Sequence, residues 1–431
     1  MTEPVGVGVI GAGYWGRKLI QEYLSSERSS GNVRLIKICD SSLSALLDCE
    51  QKLSINHNQL TRRVKDVIDD NKISAVHIAA PNHTHYSLAK MALEAGKDVL
   101  VEKPMTLNSS EAYELVDLAE SRKRVLHVGH IFRFNSALQS AHRLLKTGTV
   151  GRVFYLRIQW TDSCYFPDRD IIFDLGPHPI DILNHLLDSW PEQLSGFTRG
   201  YRSSPDHEEV TYAIAEYPHD VFAHIELSWL HPKKTREVTV VGSEATLVID
   251  CLKQRLARFS NGNTQDIPVS VNNTIESEIA HFARCVAQHS TSRESGLIGA
   301  RTVEALEAIR RSMQERLIPV PRPFGPDRTS ALIAVLETAS NGLKNLTESQ
   351  ENGGNEIKNY VEILMKQGLL RGVATQEGLS YEVTDAGSQF LKEYQNMMRD
   401  LKGTFSRIRA PLPVGPTDHP PEHKAKDTLQ S

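Results

Sequence analysis

At 431 residues and a formal charge of −4, with 40% apolar and 24% charged residues, the chain is too long for one compact core and has ordinary globular composition. Its length points to about three domains. No apolar run approaches a membrane span, and the opening residues lack the long apolar stretch of a secretory signal, so a cytoplasmic protein is expected. Cys39, Cys49, Cys164, Cys251 and Cys285 form no C-x-x-C pair, and none of the 17 histidines falls in an H-E-x-x-H spacing, which argues for reduced thiols and against a metal site. The charge balance gives no general basic excess for nucleic acid.

The first stretch, Val5 to Ile10, reads as a buried strand. It runs into Gly11-Ala12-Gly13-Tyr14-Trp15-Gly16 and then a helical pattern from Arg17 to about Ser26. A G-x-G-x-x-G between strand and helix is the setting of a dinucleotide turn. Gly11 permits the tight turn, Gly13 lets backbone approach a pyrophosphate, and Gly16 lets helix pack on strand. A second strand, Val33 to Cys39, ends in Asp40, about where a ribose-binding acid belongs. Asp40 would accept both ribose hydroxyls and repel a 2′-phosphate, which favours NAD. Ser41 and Ser42 leave room for a phosphate and keep NADP as the alternative. Asp40 also fits as a cap for the helix from Ser42 to about Leu53.

Ile73 to Ala80 reads as another buried strand. The loop Pro81-Asn82-His83-Thr84-His85 opens a helix from Tyr86 to Ala95, which Gly96 ends. His83 and His85 lack a third ligand, so the loop is read as polar lining beside a cofactor. Val99-Leu100-Val101 then runs into Glu102-Lys103-Pro104. Alternating strand and helix at this spacing make parallel βαβ units, whose ligands gather at the carboxyl ends of the strands. Lys103 is therefore placed where cofactor and substrate meet, and Pro104 holds it on extended backbone. In a partly dry pocket a lysine can share in proton transfer; the alternative is a solvated Glu-Lys pair.

From Val153 to Trp160 the pattern changes to alternating strands, continued by 209–217, 221–230, 236–242, 245–250 and 255–259. Their short turns predict an antiparallel sheet. Two helices, about 275–288 and 297–316, close this region. Between the first two strands lies Asp174-Leu-Gly-Pro-His178-Pro-Ile-Asp181. Prolines at 177 and 179 are tolerated only in a first helical turn, so His178 sits at a helix N-terminus, where the macrodipole favours the neutral imidazole. Asp174 either orients the imidazole or a ligand hydroxyl, or caps the helix.

These motifs resemble one family. Ala80-Pro-Asn-His-Thr-His85, Ala95 to Pro104 with its Glu-Lys-Pro, Val128 to Asn135, and the D-x-G-x-H-x-x-D run are similar to the Gfo/Idh/MocA (glucose–fructose oxidoreductase and inositol dehydrogenase) oxidoreductases, as far as about Pro321. The resemblance implies an α/β Rossmann domain over 1–145 and an α+β domain over 146–320 with a large open sheet that pairs subunits. It implies a cofactor, NAD or NADP, held by Gly11, Gly13, Tyr14, Trp15, Gly16 and Asp40. Ala80, Pro81, Asn82, His85, Glu102 and Lys103 would complete that site. The implied reaction is hydride transfer at a hydroxyl-bearing carbon of a sugar or nucleotide sugar. His178 would remove the hydroxyl proton, Lys103 hold the oxygen and Asp174 position the sugar. Arg133 would bind a substrate anion or form an ion pair between domains.

Beyond a proline-rich linker, 318–326, the chain departs from the family. Helical spacing at Ala331 to Ala339, a polar helix-like piece at 343–350, a helix at 356–367, a hairpin of 370–375 with 379–384, and a last helix resemble a winged helix of the kind common in small archaeal regulators, over 327–404. Eight Lys/Arg against eleven Asp/Glu from Asp327 to Lys402 give it a net charge of −3, which opposes DNA binding and leaves assembly as the rival role. A sensing regulator that uses this module is the alternative to an enzyme. Residues 405–431 are expected to be a disordered tail.

Overall fold

The computed structural model describes residues 3–163, 169–202, 208–290, 296–313, 326–340, 343–344, 354–375 and 378–408. The chain divides into two compact units, Met1–Arg316 and Leu317–Ser431. Cys164, the linker at 318–325 and the tail from 409 lie outside the described residues.

In the first unit, β1 (Val5–Ile10), β2 (Val33–Cys39), β3 (Leu60–Thr61), β4 (Ala75–Ile78), β5 (Asp98–Val101) and β6 (Leu126–Val128) form a sheet in the order β3-β2-β1-β4-β5-β6. Every pairing is parallel. Between them run α1 (Tyr14–Ser29), α2 (Leu43–Leu53), α3 (Lys65–Ile68), α4 (His85–Glu94) and α5 (Ser109–Arg122). The order reverses between β2 and β4 on either side of β1, so a crevice opens at the carboxyl end of β1. Two apolar cores sandwich the sheet. Val7, Val9 and Leu100 enter one, while Ile78, Val99 and Val101 enter the other, as period-two side chains on a doubly covered strand must.

α1 begins at Tyr14 rather than at the expected Arg17, because the extended Gly13 already serves as its N-cap and Gly13 O accepts from Arg17 N at 3.0 Å. The weakly patterned β3 and the amphipathic α5 are additions to the elements expected from sequence.

α6 (Ser136–Lys146) leads into β7 (Val153–Thr161), α7 (Ile171–Leu175) and α8 (Pro177–Leu187). The second sheet is completed by β8 (Gln193–Arg199), β9 (Val210–Tyr217), β10 (Val221–Ser228), β11 (Thr235–Gly242), β12 (Thr246–Asp250), β13 (Arg255–Ser260) and β14 (Asn263–Ile267), in the order β14-β13-β12-β11-β7-β10-β9-β8. This sheet is mixed, not purely antiparallel. β7 pairs parallel to β10, because α7, α8 and the β8-β9 hairpin intervene between them as one long crossover. Ala223, Ile225, Leu227 and Trp229 share its buried face, as their spacing predicts. β8 and the mostly polar β14 carry little alternation and were not evident in the sequence.

α9 (Thr274–Gln288) and α10 (Gly296–Ser312) return to the first sheet. Ile279, Phe282, Ala283 and Val286 of α9 complete the core around Val5, Ile20 and Tyr23. Gly296 and Gly299 let α10 lie against Leu126, Val116 and Val128, where a Cβ would collide. The expected division at 145/146 thus separates stretches of chain, while the two cores interlock within one unit.

The second unit contains α11 (Pro326–Ser340), β15 (Leu343–Lys344), α12 (Gly354–Lys366), β16 (Leu370–Thr375), β17 (Gly378–Val383) and α13 (Asp385–Ile408). Its strands form an antiparallel sheet in the order β15-β17-β16. Leu332, Leu336, Leu364, Leu370 and Leu391 form its core. Two expectations change here. Leu343–Lys344 is a strand paired to β17, not the start of a helix, and 345–350 lie outside the described residues. α13 reaches Ile408, so 405–408 are helical rather than part of a disordered tail.

Candidate active site

The glycine turn is shaped by close approach. Gly11 adopts φ +107°, and a Cβ on it would run into the Ala79 carbonyl; one on Gly16 would run into the Gly11 carbonyl. Gly13 differs, since nothing lies within 4 Å of where its Cβ would stand. That open side faces the start of α1, whose N-cap has no side-chain acceptor, so the first amides of the helix remain available to an anion. Asp40 braces the turn: Oδ2 accepts from Ala12 N at 2.7 Å and Oδ1 from Ser42 N at 2.8 Å. The cap of α2 is Ser42, not Asp40. Tyr14 is largely exposed, with the Lys18 ammonium 4.5 Å from its ring centroid, which lowers the affinity of its phenol for its proton. A dinucleotide fits this site: the cradle is open at Gly13, amides face it, and a carboxylate stands at the end of β2.

At the next strand ends, Pro81 is exposed and Ala80 and Asn82 are half-buried. His85 is fully buried, with Nδ1 2.8 Å from Pro104 O and Nε2 2.8 Å from Ala80 O. Burial lowers its pKa against the pull of those two carbonyls. It acts as a strut between the two loops rather than as a surface for cofactor. Glu102 is also buried; its Oε1 stands 3.4 Å from Nε2 of His77, whose Nδ1 is 3.1 Å from the Tyr23 hydroxyl. Burial opposes the Glu102 charge, but His77 outweighs it and the carboxyl stays below its ordinary pKa. Burial and two acids, Glu278 and Glu102, push the Tyr23 phenol well up.

Lys103 and α7 meet although 71 residues separate Lys103 from Asp174: Lys103 Nζ donates to the Asp174 carbonyl at 2.7 Å and lies 3.7 Å from its Oδ1. Asp174 belongs to α7, which Asp170 caps, so its carboxylate is free of capping duty. Arg169 Nη1 donates to the same Oδ1 at 3.2 Å. Among the described residues Oδ2 of Asp174 has no hydrogen-bond partner.

His178 is half-buried on the first turn of α8, with Phe132 and Trp160 ring centroids at 4.9 and 5.8 Å. Its Nδ1 is buried and without a hydrogen bond among the described residues. Burial first, then the positive charges of Lys103, His130 and Arg236, hold its pKa well below the usual 6.5, so the imidazole is neutral. Arg133 takes the second of its two expected roles: buried, it donates from Nε to Asp181 Oδ1 at 2.6 Å and from Nη2 to Asn184 Oδ1 at 2.5 Å. That pair ties the segment after β6 to α8. Two of the Arg133 guanidinium nitrogens are thereby engaged within the protein.

Sequence reasoning missed Arg169, Phe132, Trp160 and Arg236. Arg169 carried a signal, standing between two aspartates five residues before Asp174. The other three, Phe132 in the turn after β6, Trp160 on β7 and Arg236 on β11, are brought to His178 only by tertiary packing.

The fold and the site define a nicotinamide-dependent oxidoreductase of the Rossmann class. Residues 5–130 match the model of an oxidoreductase family with an NAD-binding Rossmann fold, and residues 138–248 match the GFO/IDH/MocA C-terminal domain. The chain belongs to the Gfo/Idh/MocA oxidoreductase family. It is 31% identical over 231 residues to an uncharacterized oxidoreductase, YdgJ, of Escherichia coli, matching 51% of this chain and 63% of that protein's length. It is 24% identical over 316 residues to the UDP-N-acetylglucosamine 3-dehydrogenase of Acidithiobacillus ferrooxidans, matching 70% of this chain and 95% of that one. The fold also matches levoglucosan dehydrogenase solved with NADH and levoglucosan, at TM-score 0.66 and 18% identity, over 74% of this chain and all of that one. Among the described residues no helix is long and apolar enough to cross a membrane.

Proposed function

We propose that the protein is an NAD(P)-dependent dehydrogenase that oxidises a hydroxyl-bearing carbon of a sugar or nucleotide sugar. The observation that carries this reading is the convergence of the Lys103 ammonium, the Asp174 carboxylate and a neutral His178 at the mouth of the glycine-turn crevice. Gly11, Gly13 and the first amides of α1 would hold the pyrophosphate, and Asp40 would lie beside the adenosine ribose. When bound, the nicotinamide supplies the hydride acceptor.

The rest is work for this chain's side chains. Lys103 gives one N–H to the Asp174 carbonyl, which leaves two for the oxygen of a substrate hydroxyl. That contact steadies the oxygen as it loses its proton. Neutral His178 takes the proton on a ring nitrogen. Oδ2 of Asp174 accepts from a neighbouring hydroxyl and fixes the sugar. Phe132 and Trp160 keep water from the imidazole. The relatives named for UDP-N-acetylglucosamine, inositol and apiose support a polyhydroxylated substrate. The test is reduction of NAD or NADP by purified protein with a panel of such sugars. Lys103→Ala and His178→Ala should each cut turnover by about 10³-fold while NADH still binds. Wild-type rates in both variants would end the reading.

For the second unit, helix, strand, helix, hairpin and helix with a β15-β17-β16 sheet support a winged helix. The net charge of −3 over Asp327–Lys402 favours a docking role over DNA binding, and retention of labelled duplex DNA at low salt would reverse that choice. The open face of the eight-stranded sheet, with Tyr155 stacked on Phe222 at 5.4 Å, supports a homo-oligomer. A cytoplasmic location fits a nicotinamide enzyme with four buried free cysteines among the described residues.

A further inference from the structure

Beyond the reaction itself, the ribose end of the crevice carries information about which nicotinamide cofactor is accepted. β3 lies beside β2, with Cys39 paired to Thr61, so Arg62 emerges next to Asp40 and Ser41. Asp40 N donates to Thr61 O at 3.2 Å, and Arg62 Nε donates to Ser41 O at 3.0 Å. Among the described residues this is the only hydrogen bond Arg62 makes, and no carboxylate pairs with it. Its neighbours are accounted for: Arg63 is held by Asp66 through Nη2 at 2.6 Å and Nε at 3.1 Å, and Arg17 reaches Asp48 at 3.4 Å. Arg62 is thus an exposed guanidinium with its terminal N–H groups free, anchored by Nε to the residue after the ribose acid.

The acid is less of an obstacle than its type implies. A carboxylate at this strand end repels a 2′-phosphate when it is turned outward. Here each Asp40 oxygen accepts a backbone amide, from Ala12 and from Ser42, so the charge is drawn toward the turn and the cap of α2. The Ser41 hydroxyl makes no hydrogen bond among the described residues, whereas that of Ser42 bonds Ser44 and Ala45 N. A planar guanidinium and a free hydroxyl side by side suit a phosphate monoester.

We propose that Arg62, with Ser41, recognises the 2′-phosphate of NADP(H), so that the protein accepts the phosphorylated cofactor despite Asp40. This rests on the dehydrogenase reading only in assuming that a dinucleotide occupies the glycine turn.

The test is calorimetric titration of the full chain with NADPH, NADH and 2′,5′-ADP, without substrate. The wild type should bind NADPH at least as tightly as NADH and should bind 2′,5′-ADP measurably. Arg62→Ala should raise the NADPH dissociation constant about tenfold or more, the usual size for one charge-assisted contact, and leave NADH within about twofold. Ser41→Glu, which sets a charge against the phosphate without removing Arg62, should act in the same direction. Arg62→Lys should recover part of the NADPH affinity. Equal weakening of NADH and NADPH by Arg62→Ala would make Arg62 a support for the adenine and overturn the proposal. Tight NADH with no NADPH binding would overturn it while leaving the dehydrogenase intact. Binding of neither dinucleotide would sink both.

Discussion

In the parallel sheet, β1, β4 and β5 are buried at every residue, whereas β9 and β11 of the mixed sheet alternate buried with half-buried or exposed positions. The first sheet has helices on both faces and offers a ligand only its carboxyl edge. The second packs one face on α6, α7 and α10 and leaves Tyr155, Tyr212 and Phe222 exposed. One sheet acts through its ends and the other through its faces. The inner face of the second presses Trp160 toward His178, so each sheet contributes to the site by a different route.

The contrast can be broken by substitution. Trp229→Ala, on the covered face, should destabilise the unit by about 3–5 kcal/mol in chemical denaturation, the range for deleting a buried aromatic. Phe222→Ala, on the open face, should change it by under about 1 kcal/mol in the dissociated chain. A loss at Phe222 as large as that at Trp229 would mean that the outer face is covered in solution, and sedimentation of the variant would then show a smaller species. Gly11→Ala comes next. Strain at φ +107° together with the clash on Ala79 should lower stability by about 1–3 kcal/mol and weaken NADH binding in the same titration.

The smallest effect separates chemistry from packing. The folded pKa of His178 lies below its unfolded value, so the acid limb of kcat/KM should fall below pH 6.5. The sign for stability follows from the same shift. Below about pH 6.5 the unfolded imidazole takes a proton that the folded one refuses, so stability declines as pH falls toward the folded pKa. His178→Asn should remove both dependences. An acid limb above 6.5 would place the base elsewhere.

The parallel sheet was legible because doubly covered strands read as apolar runs and the glycine turn is a local backbone requirement. Lys103, Asp174 and His178 were legible as types, and the family resemblance grouped them. Nothing local revealed that the Lys103 ammonium would reach the Asp174 carbonyl. The parallel β7-β10 pairing was hidden for a related reason: short hairpin turns announce antiparallel neighbours, while a crossover leaves no mark at the strands it joins. Glu102 and His85 show the opposite case. Polar residues beside a ligand loop read as ligand contacts, yet both are buried as supports, one under the turn against His77 and one between two carbonyls. Arg133 offered two roles from sequence, and the ion pair depends on the position of Asp181 on α8.

The empty space beside Gly13 separates two properties that usually fail together. A methyl group there would meet no neighbour in the chain, so an alanine variant should melt, express and crystallise like the parent. Its one penalty would arise where a pyrophosphate needs that room. A screen for folded protein would pass such a variant unnoticed, and only a measurement of cofactor loading would reveal the defect.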